Sequence, residues 1–446
     1  MINKLKNKYT ESLKDKNFFE ILTGSAMALV VKIFTVIFGL ISNLIIAKYY
    51  GSEVLGTISV LFSIMGIASI FSLLGMDVSI LRFIPPLIKQ KKYYEIYITI
   101  IKVLLLVSFF SLIIALCVYS FSDFIAINIF HKNDLTSFIV LISFFIFPQA
   151  LGNISRSVIR AFQNIKIFLL LQFLPSLLNL LLLLILTFLF YSKYNPLYSQ
   201  LSTQLFVMLI SFIFLYKLVK NYKTSRTNHN ISNKELLATS LPMFLTAVMQ
   251  LVVLQTDVLM LGSMSTLESV GIYSIVMKLA LLSSFVIGSI NTIIAPKFSE
   301  LYYNDELDEL KSVARKSTKL IFYSTLPITL ILIIFGVYLL SIFGNDFTAG
   351  YYALIMLAIG QLINSMAGSV GYLLNMTGYQ KVFNKIVLCG AVSNVILNIL
   401  LIPKYGINGA AFASMLSIIF WNITASIYSK KYLGFYIFYV PKLQRN

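Results

Sequence analysis

The chain has 446 residues, of which 58% are hydrophobic and only 12% are charged. Soluble domains average about 45–50% apolar and about 25% charged residues, so this composition excludes a soluble globular protein. Only lipid can cover so much apolar surface, and the composition therefore predicts an all-α polytopic membrane protein. The formal net charge of +18 would suggest a nucleic-acid partner in a soluble protein, but its distribution along the chain is that of membrane topology, and no nucleic acid is expected.

Twelve apolar stretches are long enough to cross a bilayer as helices, which takes about 20 residues each. They are 23–47, 54–75, 96–121, 135–155, 167–191, 197–216, 236–262, 268–295, 318–343, 350–377, 382–402 and 406–429. Residues 1–22 are predicted to be a cytoplasmic amphipathic N-terminus, because they are rich in lysine and no signal-peptide cleavage site follows. Residues 430–446 are predicted to be a cytoplasmic tail, whose aromatic patch is too short to span and is expected at the membrane interface.

Lysine and arginine are concentrated on one side of the predicted membrane. Most of the 35 basic residues lie in the two termini and in the loops that follow the even-numbered spans. The opposite loops carry Lys48, Lys132, Lys193 and Lys404. The positive-inside rule therefore predicts a multi-pass protein of the plasma (inner) membrane with both termini in the cytoplasm.

The two halves of the sequence resemble each other at a constant offset of 215 residues. Gly56 matches Gly271 in this alignment, and Asn179 matches Asn394. A shared offset across several regions indicates an internal duplication. Each half has six helices, an even number, so the halves are expected to run parallel about an axis along the membrane normal, with a central cavity between them.

This duplication predicts two six-helix lobes. The N-lobe is expected over residues 23–216 and the C-lobe over residues 236–429, joined by a basic cytoplasmic linker at 217–235. Two parallel six-helix lobes around a cavity are typical of a transporter. A channel would more often be an oligomer of a small unit, and nothing in the sequence resembles a selectivity filter.

Two lysines lie deep inside predicted spans, where an ionisable group is costly and usually faces a cavity. Lys32 lies in the first span and Lys278 in the eighth. Lysine is a natural partner of a phosphate or a diphosphate, so both are candidates for binding an anionic headgroup. The alternative is that each long side chain extends along the helix to place its ammonium group at the interface.

Four further basic residues lie where spans reach the cytoplasmic side. Arg82 and Lys297 occupy equivalent positions in the two halves, and Arg156 and Arg160 are one turn apart on the fourth span and so share a face. Together they could form a cationic cytoplasmic mouth for a diphosphate. Ordinary positive-inside charge is the alternative for each of them.

One acidic residue lies inside the seventh span. Asp257 is joined in this interpretation by Asn394 and Asn398, which are one turn apart on the eleventh span and so line one face. Carboxylate and amide oxygens suit a small hard cation, so the three residues are predicted to form a cation-coupling site for Na⁺ or a proton. The alternative is that Asp257 is paired with a nearby donor such as Gln255 or Lys278.

Motifs of enzymes and of nucleotide binding are missing from the sequence. Neither the phosphate-binding pattern GxxxxGK[ST] nor the zinc-protease pattern HExxH occurs, and there is no paired-carboxylate motif on a loop. These absences predict a protein that is not an enzyme and needs no cofactor.

Several segments carry a resemblance to a known family. They are LIIAKYYGSEVLGTISVLFSI, LLGMDVSILRFIP, TDVLMLGSMSTLESVGIYSIVMKL and LLIPKYGINGAAFASMLS. The chain resembles the oligosaccharide flippases of polysaccharide biosynthesis, of the O-antigen type. These belong to the multidrug/oligosaccharidyl-lipid/polysaccharide exporter superfamily, together with the multidrug and toxic-compound extrusion (MATE) transporters and the lipid II flippase.

The resemblance implies alternating access and the flipping of a polyprenyl-diphosphate-linked oligosaccharide from the cytoplasmic to the outer leaflet. The implied partners are this lipid-linked oligosaccharide, membrane lipids and a polysaccharide polymerase complex. The resemblance also implies a sodium site, in which Asp257 matches an acid on the seventh helix and Asn394 and Asn398 match an Asn-x-x-x-acid pair, with an amide in place of the second acid.

Two other functions are compatible with the same architecture. A cation-coupled multidrug exporter of the superfamily is the main alternative, although its cavity should be acidic and aromatic to hold organic cations, and this sequence has few acids within its spans. The second is a scaffold in a glycan-synthesis complex that does not itself transport.

Overall fold

The computed structural model describes residues 16–190, 192–220 and 232–440, and all regular secondary structure among them is helical. The helices are α1 Lys16–Leu73, α2 Met76–Lys89, α3 Tyr93–Ser120, α4 Leu135–Ala161, α5 Ile165–Leu189, α6 Asn195–Val219, α7 Asn233–Met264, α8 Leu267–Leu281, α9 Ser284–Tyr303, α10 Leu307–Ile334, α11 Gly336–Ser341, α12 Tyr351–Ala367, α13 Val370–Met376 and α14 Gln380–Leu433. A short π-helical turn at Phe124–Ile129 and a 3₁₀ turn at Asn345–Gly350 complete the set. Most of the predicted N-terminal head and of the linker, and the end of the tail, lie outside the described residues.

Eight helices are long and apolar enough to cross a membrane, and two bent helix pairs pass the same criterion as further spans. Two of the eight, α1 and α14, have 58 and 54 residues, more than twice the roughly 20 residues that one crossing needs. Each of these two is broken at an internal glycine. If the segments on either side of each break are counted separately, the described residues supply twelve apolar segments of spanning length, in agreement with the sequence.

The breaks in α1 and α14 occur at glycines. Gly51 has φ 83° and ψ 174°, and Gly406 has φ 52° and ψ −126°. These dihedrals lie in regions that L-residues with a Cβ rarely adopt, whereas glycine reaches them at little cost. An unbroken 58-residue helix would be roughly 87 Å long, far more than a bilayer is thick, so the glycine break lets one continuous helix supply two crossings.

The eighth predicted span is not continuous. The sequence predicted a single helix over 268–295, but the chain bends by 45° between α8 and α9. At the bend, the amides of Leu282 and Ser283 donate to the carbonyl oxygens three residues earlier, which tightens the last turn of α8.

Large apolar side chains cover the outside of the helices. Phe188 is 78% exposed, Ile334 is 67% exposed and Leu116 is 64% exposed, and many other apolar side chains are exposed in the same way. A protein with such an apolar surface would aggregate in water, whereas the hydrocarbon chains of a lipid bilayer can cover it. The prediction of an all-α, multi-pass membrane protein is therefore confirmed.

The described chain packs into two compact units. Unit 1 contains residues 1–43, 65–122 and 137–247, and unit 2 contains residues 44–64, 123–136 and 248–446. Each has its own apolar core, centred on Ile80, Ile154 and Leu171 in unit 1 and on Phe298 and Leu373 in unit 2. Because 44–64 and 123–136 pack with unit 2, these units do not follow the predicted lobe boundary in sequence, and the lobes at 23–216 and 236–429 stay a prediction.

Unit 2 contains a helix crossing between equivalent glycines of the two halves. A Cβ atom on Gly56 would collide with the backbone carbonyl of Leu267 and lie 2.8 Å from the backbone nitrogen of Gly271. A Cβ atom on Gly271 would in turn collide with the carbonyl of Ser52 and lie 3.0 Å from the nitrogen of Gly56. Ser52 and Leu267 are also 215 residues apart, so the contact is reciprocal, as at an interface with two-fold symmetry.

The described part of the tail packs into unit 2. Helix α14 is followed by Gly434, which has φ 82°, and the chain then continues without regular secondary structure to residue 440. Phe435, Ile437 and Tyr439 are buried at alternate positions, and the amide of Tyr439 donates to the carbonyl of Met366 at 2.8 Å. The aromatic patch that was expected at the membrane interface is therefore anchored by protein contacts.

Candidate functional site

The most elaborate polar cluster lies inside unit 2, around the carboxylate of Asp257 on α7. One carboxylate oxygen accepts hydrogen bonds from the amide groups of Asn394, at 3.2 Å, and Asn398, at 2.7 Å. The other accepts from the hydroxyl of Tyr273, at 2.5 Å, and from the hydroxyl of Ser414. All four partners donate, which matches an ionised carboxylate, because that group only accepts.

Three helices bring these side chains together. Asn394 and Asn398 lie one turn apart on the first arm of α14 and so present both amides to the same face. The chain turns back at Gly406, and Ser414 on the second arm reaches the same carboxylate. Tyr273 comes from α8 and is fully buried. The kink in α14 is therefore what allows one helix to contribute three of the five residues.

The sequence placed Asp257, Asn394 and Asn398 in one site, and the structure brings all three into hydrogen-bond contact. Their role in cation coupling stays a prediction. The side-chain oxygen of Gln255 accepts a hydrogen bond from Ser63 at 2.8 Å, and the alternative pairing of Asp257 with Gln255 or Lys278 stays open.

Sequence reasoning missed two members of the cluster, and the duplication contained a signal for one of them. In unit 1, Ser199 donates to Asn179 at 3.1 Å, and in unit 2, Asn394 donates to Ser414 at 3.2 Å. Both residues of the first pair are 215 positions from those of the second. The Asn–Ser contact therefore occurs in both halves, and the offset from Ser199 points to Ser414.

The acidic part of the cluster belongs to the second half alone. The position equivalent to Asp257 is Ser42, and the position equivalent to Asn398 is Leu183. Neither can supply the carboxylate or the second amide. Tyr273 likewise corresponds to an isoleucine in the first half, so the repeat gave no signal for it. The two halves therefore share the Asn–Ser contact, and only the second half has a carboxylate and a second amide beside it.

The cluster has enough oxygen atoms for a small hard cation. Asp257, Asn394, Asn398, Ser414 and Tyr273 each carry at least one, and sodium-like cations prefer such ligands. The side-chain oxygen of Asn398 is buried and has no hydrogen-bond partner among the described residues, a state that native proteins rarely leave without a bound ion or water. Rotation of this amide would exchange its nitrogen for that oxygen. The donor set therefore fits the Na⁺ that the resemblance implies.

A large cavity in unit 2 adjoins this cluster. It encloses about 840 Å³ of space, part of which is open to the surroundings, and Asp257, Tyr273, Asn394 and Ser414 form part of its wall. The remaining wall is mostly apolar. The buried carboxylate therefore lies beside an open, mostly apolar space.

Among the six predicted headgroup-binding cations, Arg156 lines a cavity of unit 1. In unit 1 its guanidinium donates to the side-chain oxygen of Asn153, whose amide donates to Ser69 at 2.9 Å. Asn153 and Arg156 line a cavity of about 530 Å³ together with Asp77. This setting combines one cation, one acid and several neutral polar groups.

The other predicted cations are not gathered at one point by any described contact. Lys32, Arg82 and Arg160 are exposed, and Lys278 is half-buried on α8. The guanidinium of Arg160 lies over the ring of Phe168 at 5.3 Å, a favourable cation–π arrangement. Their role as headgroup ligands stays a prediction.

Lys297 is engaged in an ion pair. Its ammonium group donates to the Glu300 carboxylate at 2.7 Å, one turn along α9. This hydrogen bond raises the pKa of the Lys297 ammonium above its usual value. Its charge is therefore partly neutralised by a neighbour that sequence reasoning did not consider.

Comparison with protein families gives two matches. The polysaccharide biosynthesis protein family model matches residues 21–302, which is more than half of the chain. The MatE family model matches residues 242–400. The second match contains Asp257, Asn394 and Asn398.

Similar proteins are found among curated sequences and solved structures. The chain is 27% identical over 162 residues to the probable low-salt glycan biosynthesis flippase Agl15 of Haloferax volcanii, a match covering 36% of this chain and 34% of that relative. An inward-facing multidrug-resistance MATE transporter superposes with a TM-score of 0.74 at 14% identity, covering 92% of this chain and 98% of the other. The lipid II flippase MurJ, in an inward closed conformation, superposes with a TM-score of 0.69 at 19% identity, covering 91% and 87%.

These matches differ in how much of each related protein they cover. The sequence match to the curated glycan flippase spans about a third of that protein's length, whereas the two structures are matched over most of their length. At these identities, the structural matches establish a shared helical fold.

Proposed function

Because the chain belongs to the polysaccharide biosynthesis protein family, we propose that it is a flippase for polyprenyl-diphosphate-linked oligosaccharides in cell-surface polysaccharide synthesis. It would move each unit from the cytoplasmic to the outer leaflet of the plasma membrane by alternating access. The glycan-flippase relative supports the substrate class, and the fold shared with MATE transporters and the lipid II flippase supports transport.

The observation that carries the coupling part of this proposal is the Asp257 cluster. An ionised carboxylate within an apolar unit is costly unless it is compensated, and its position is usually functional. Here four neutral donors compensate it, and neutral donors can release it when a cation arrives. If Na⁺ binds, Asp257, Asn394, Asn398 and Ser414 would hold it, and it would neutralise the carboxylate.

The predicted cations would receive the diphosphate headgroup. Arg156 is the best supported of them, because it lines a cavity and its planar guanidinium can bind phosphate oxygens through two parallel hydrogen bonds. Lys32, Arg82, Arg160, Lys278 and Lys297 complete the proposed set. The polyprenyl tail would stay in the lipid throughout.

The membrane potential supplies a driving force for export. A diphosphate carries about two negative charges, and moving them outward across an inside-negative membrane is downhill by roughly 4–5 kcal/mol per 100 mV. A cation that returns through Asp257 would add to this. With both termini in the cytoplasm, as the distribution of basic residues predicts, the basic loops would also attract the anionic substrate.

A cation-coupled multidrug exporter is the competing function. Its cavity would need a carboxylate that is available to an organic cation. Both oxygens of Asp257 accept hydrogen bonds from protein donors, so an organic cation would have to displace these donors, as Na⁺ would, and would also have to fit among them.

Reconstituted transport tests the proposal. Purified protein in proteoliposomes should flip a fluorescent polyprenyl-diphosphate oligosaccharide, and an imposed potential, negative on the side of the added substrate, should raise the rate several-fold. Asp257→Asn keeps the shape of the side chain but removes its charge, so we expect at least a tenfold lower rate. Asp346→Asn, at an exposed acid in the loop before α12, is the matched control and should transport normally.

Two results would overturn the proposal. One is flux that ignores both the potential and Asp257→Asn. The other is an absence of oligosaccharide movement under conditions in which an organic cation is transported, which would instead establish the multidrug exporter.

A further inference from the structure

The cavity beside Asp257 in unit 2 has a wall suited to carbohydrate. Trp421, on the second arm of α14, contributes its indole ring, and Gln361 and Asn364 on α12 contribute two amides. An indole ring offers a flat apolar face, which matches the C–H face of a pyranose ring. Amides both donate and accept, which matches the hydroxyl groups around that ring.

The position of the indole ring is set by a glycine. A Cβ atom on Gly390 would lie 3.1 Å from Cε3 of Trp421 and 3.5 Å from its Cβ atom. The bare backbone of the first arm of α14 therefore lets the ring pack closely against it. A ring that is held in place in this way loses little conformational entropy when a ligand stacks on it.

The amides are also held in place. Ser284 donates to the side-chain oxygen of Gln361 at 2.7 Å, and the amide nitrogen of Asn364 donates to the same oxygen at 3.2 Å. These contacts fix Gln361 with its oxygen occupied, so its NH₂ group is the part that would meet a ligand. They also orient Asn364, whose side-chain oxygen can accept from a hydroxyl.

The charges in the wall exclude other ligands. Asp257 is the one charged residue among the described side chains that line the cavity. A diphosphate would find no lysine or arginine there and would be repelled by the carboxylate. An organic cation would find that carboxylate already accepting four hydrogen bonds. A neutral ligand fits both constraints.

A neutral ring with one flat apolar face and several hydroxyl groups therefore matches the chemistry of this wall. We propose that this cavity is a subsite for a neutral sugar ring of the transported oligosaccharide, stacked on Trp421 and hydrogen-bonded to Gln361 and Asn364. This rests on the proposed flippase function and names the part of the substrate that unit 2 would bind.

Trp421 is the only tryptophan of the chain, so its fluorescence reports on this cavity without a label. The full-length protein would be purified in a detergent without a sugar headgroup and titrated with glucose, galactose and N-acetylglucosamine. We expect a saturable change in emission with at least one of these neutral pyranoses. Mannitol, an acyclic polyol, should cause none, and glucuronate should bind at least fivefold more weakly because Asp257 repels it.

Variants separate this subsite from general solvent effects. Gln361→Leu and Asn364→Leu should each weaken the saturable response at least tenfold while the emission of the unliganded protein stays similar. Gln380→Leu, which removes an exposed amide at the start of α14 in the same unit, is the matched control and should respond normally. The proposal is wrong if tetraethylammonium gives a saturable change and the neutral pyranoses do not, or if glucuronate binds more tightly than they do.

Flux measurements distinguish a failure of the subsite from a failure of the flippase function. Trp421→Ala should lower the rate of flipping of the fluorescent lipid-linked oligosaccharide about tenfold. Trp421→Phe keeps an aromatic face and is more certain to fold, and it should lower the rate about threefold or less. Phe420→Ala, at a neighbour that is 43% exposed, should not change it. If the wild type flips the substrate and both Trp421 variants flip it equally well, the subsite is wrong and the function stands. If the wild type flips nothing, the function is wrong, and sugar-dependent fluorescence would then mark a sugar site of another kind.

Discussion

The carboxylate of Asp257 lies inside an apolar unit, where four side chains donate hydrogen bonds to it. The first half of the chain shows what the same position looks like without a charge, since Ser42 replaces the carboxylate and Leu183 replaces the second amide. The Asn–Ser contact persists in both halves. At the residue scale, the Asp257 cluster is thus a duplicated polar contact that includes an acid and a second amide in the second half alone.

Asn398 is the residue at which the sodium affinity of the cluster should be adjustable. Asn398→Asp would place a second carboxylate next to Asp257, at a position where the amide now donates over 2.7 Å. Without Na⁺ the two charges repel, and with Na⁺ they share the ion. We expect the variant to unfold at a lower temperature than the wild type in choline chloride and to regain stability in NaCl. A gain of about 2.7 kcal/mol corresponds to sodium at 100 times its Kd.

Thermal unfolding of the purified protein in the two salts measures this effect. Asn345→Asp, at an exposed amide outside the cluster, controls for the added charge and should show no specific response to Na⁺. Equal stability of Asn398→Asp in both salts would show that the cluster does not hold sodium.

The spacing of residues explains which parts of this site were predictable. Asn394 and Asn398 share a face because an α-helix repeats every 3.6 residues, so their spacing of four could be read from the sequence. Ser414 lies on the other arm of the same helix and could be found through the repeat with Ser199. Tyr273 has no polar equivalent in the first half and lies on another helix, so only the folded chain shows that its hydroxyl reaches Asp257.

At the scale of helices, the crossing of Gly56 and Gly271 is the closest approach described between the two halves of the sequence. Each glycine faces a backbone carbonyl of the other segment, so even the methyl group of alanine would overlap with that carbonyl oxygen. Backbone atoms cannot move aside as a flexible side chain can. Small residues are the usual means by which membrane helices approach this closely.

Alanine substitutions test this crossing. Gly56→Ala and Gly271→Ala should each destabilise the protein by about 1–3 kcal/mol, the usual cost of overpacking. Their effects should not be additive, because both disrupt one contact. Gly66→Ala is the control on the same helix as Gly56, since no heavy atom lies within 4 Å of its added Cβ, and it should be neutral or stabilising by about 0.5–1 kcal/mol. Thermal unfolding would show these differences, and equal behaviour of all three variants would contradict the close crossing.

Hydropathy predicted the helical segments well but not their breaks. An apolar run of sufficient length predicts a span whatever its internal geometry, so twelve segments were expected and are present. The bend at Ser283 follows a last turn of α8 with hydrogen bonds to the third residue back, and the continuity of α1 through Gly51 depends on dihedral angles. Neither the bend nor the glycine break changes the mean hydropathy of the segment, so hydropathy could not predict them.

At the scale of the whole molecule, the basic residues predict how the chain lies in the membrane. The loop with Lys404 is expected outside, and the start of α10 with Lys316 is expected in the cytoplasm. Both side chains are exposed. Reagents that do not cross the membrane can therefore reach them from one side only.

Cysteine labelling tests this orientation. Cys117 and Cys389 are free and exposed, so both would first be replaced by serine. In intact cells, an impermeant maleimide should label Lys404→Cys and should label Lys316→Cys only after permeabilisation. The serine-only background should stay unlabelled, and the opposite pattern at the two sites would reverse the assigned orientation and with it the direction of the proposed export.

The reciprocal glycine contact has a further consequence for how such a chain evolves. In a symmetric pair of identical six-helix proteins, this contact would lie on the symmetry axis, and one mutation in the gene would alter both sides at once. In a fused chain each side mutates alone, and a larger residue on either side is blocked by the backbone of the other. Selection would then preserve Gly56 and Gly271 together, although their codons are inherited as separate sites.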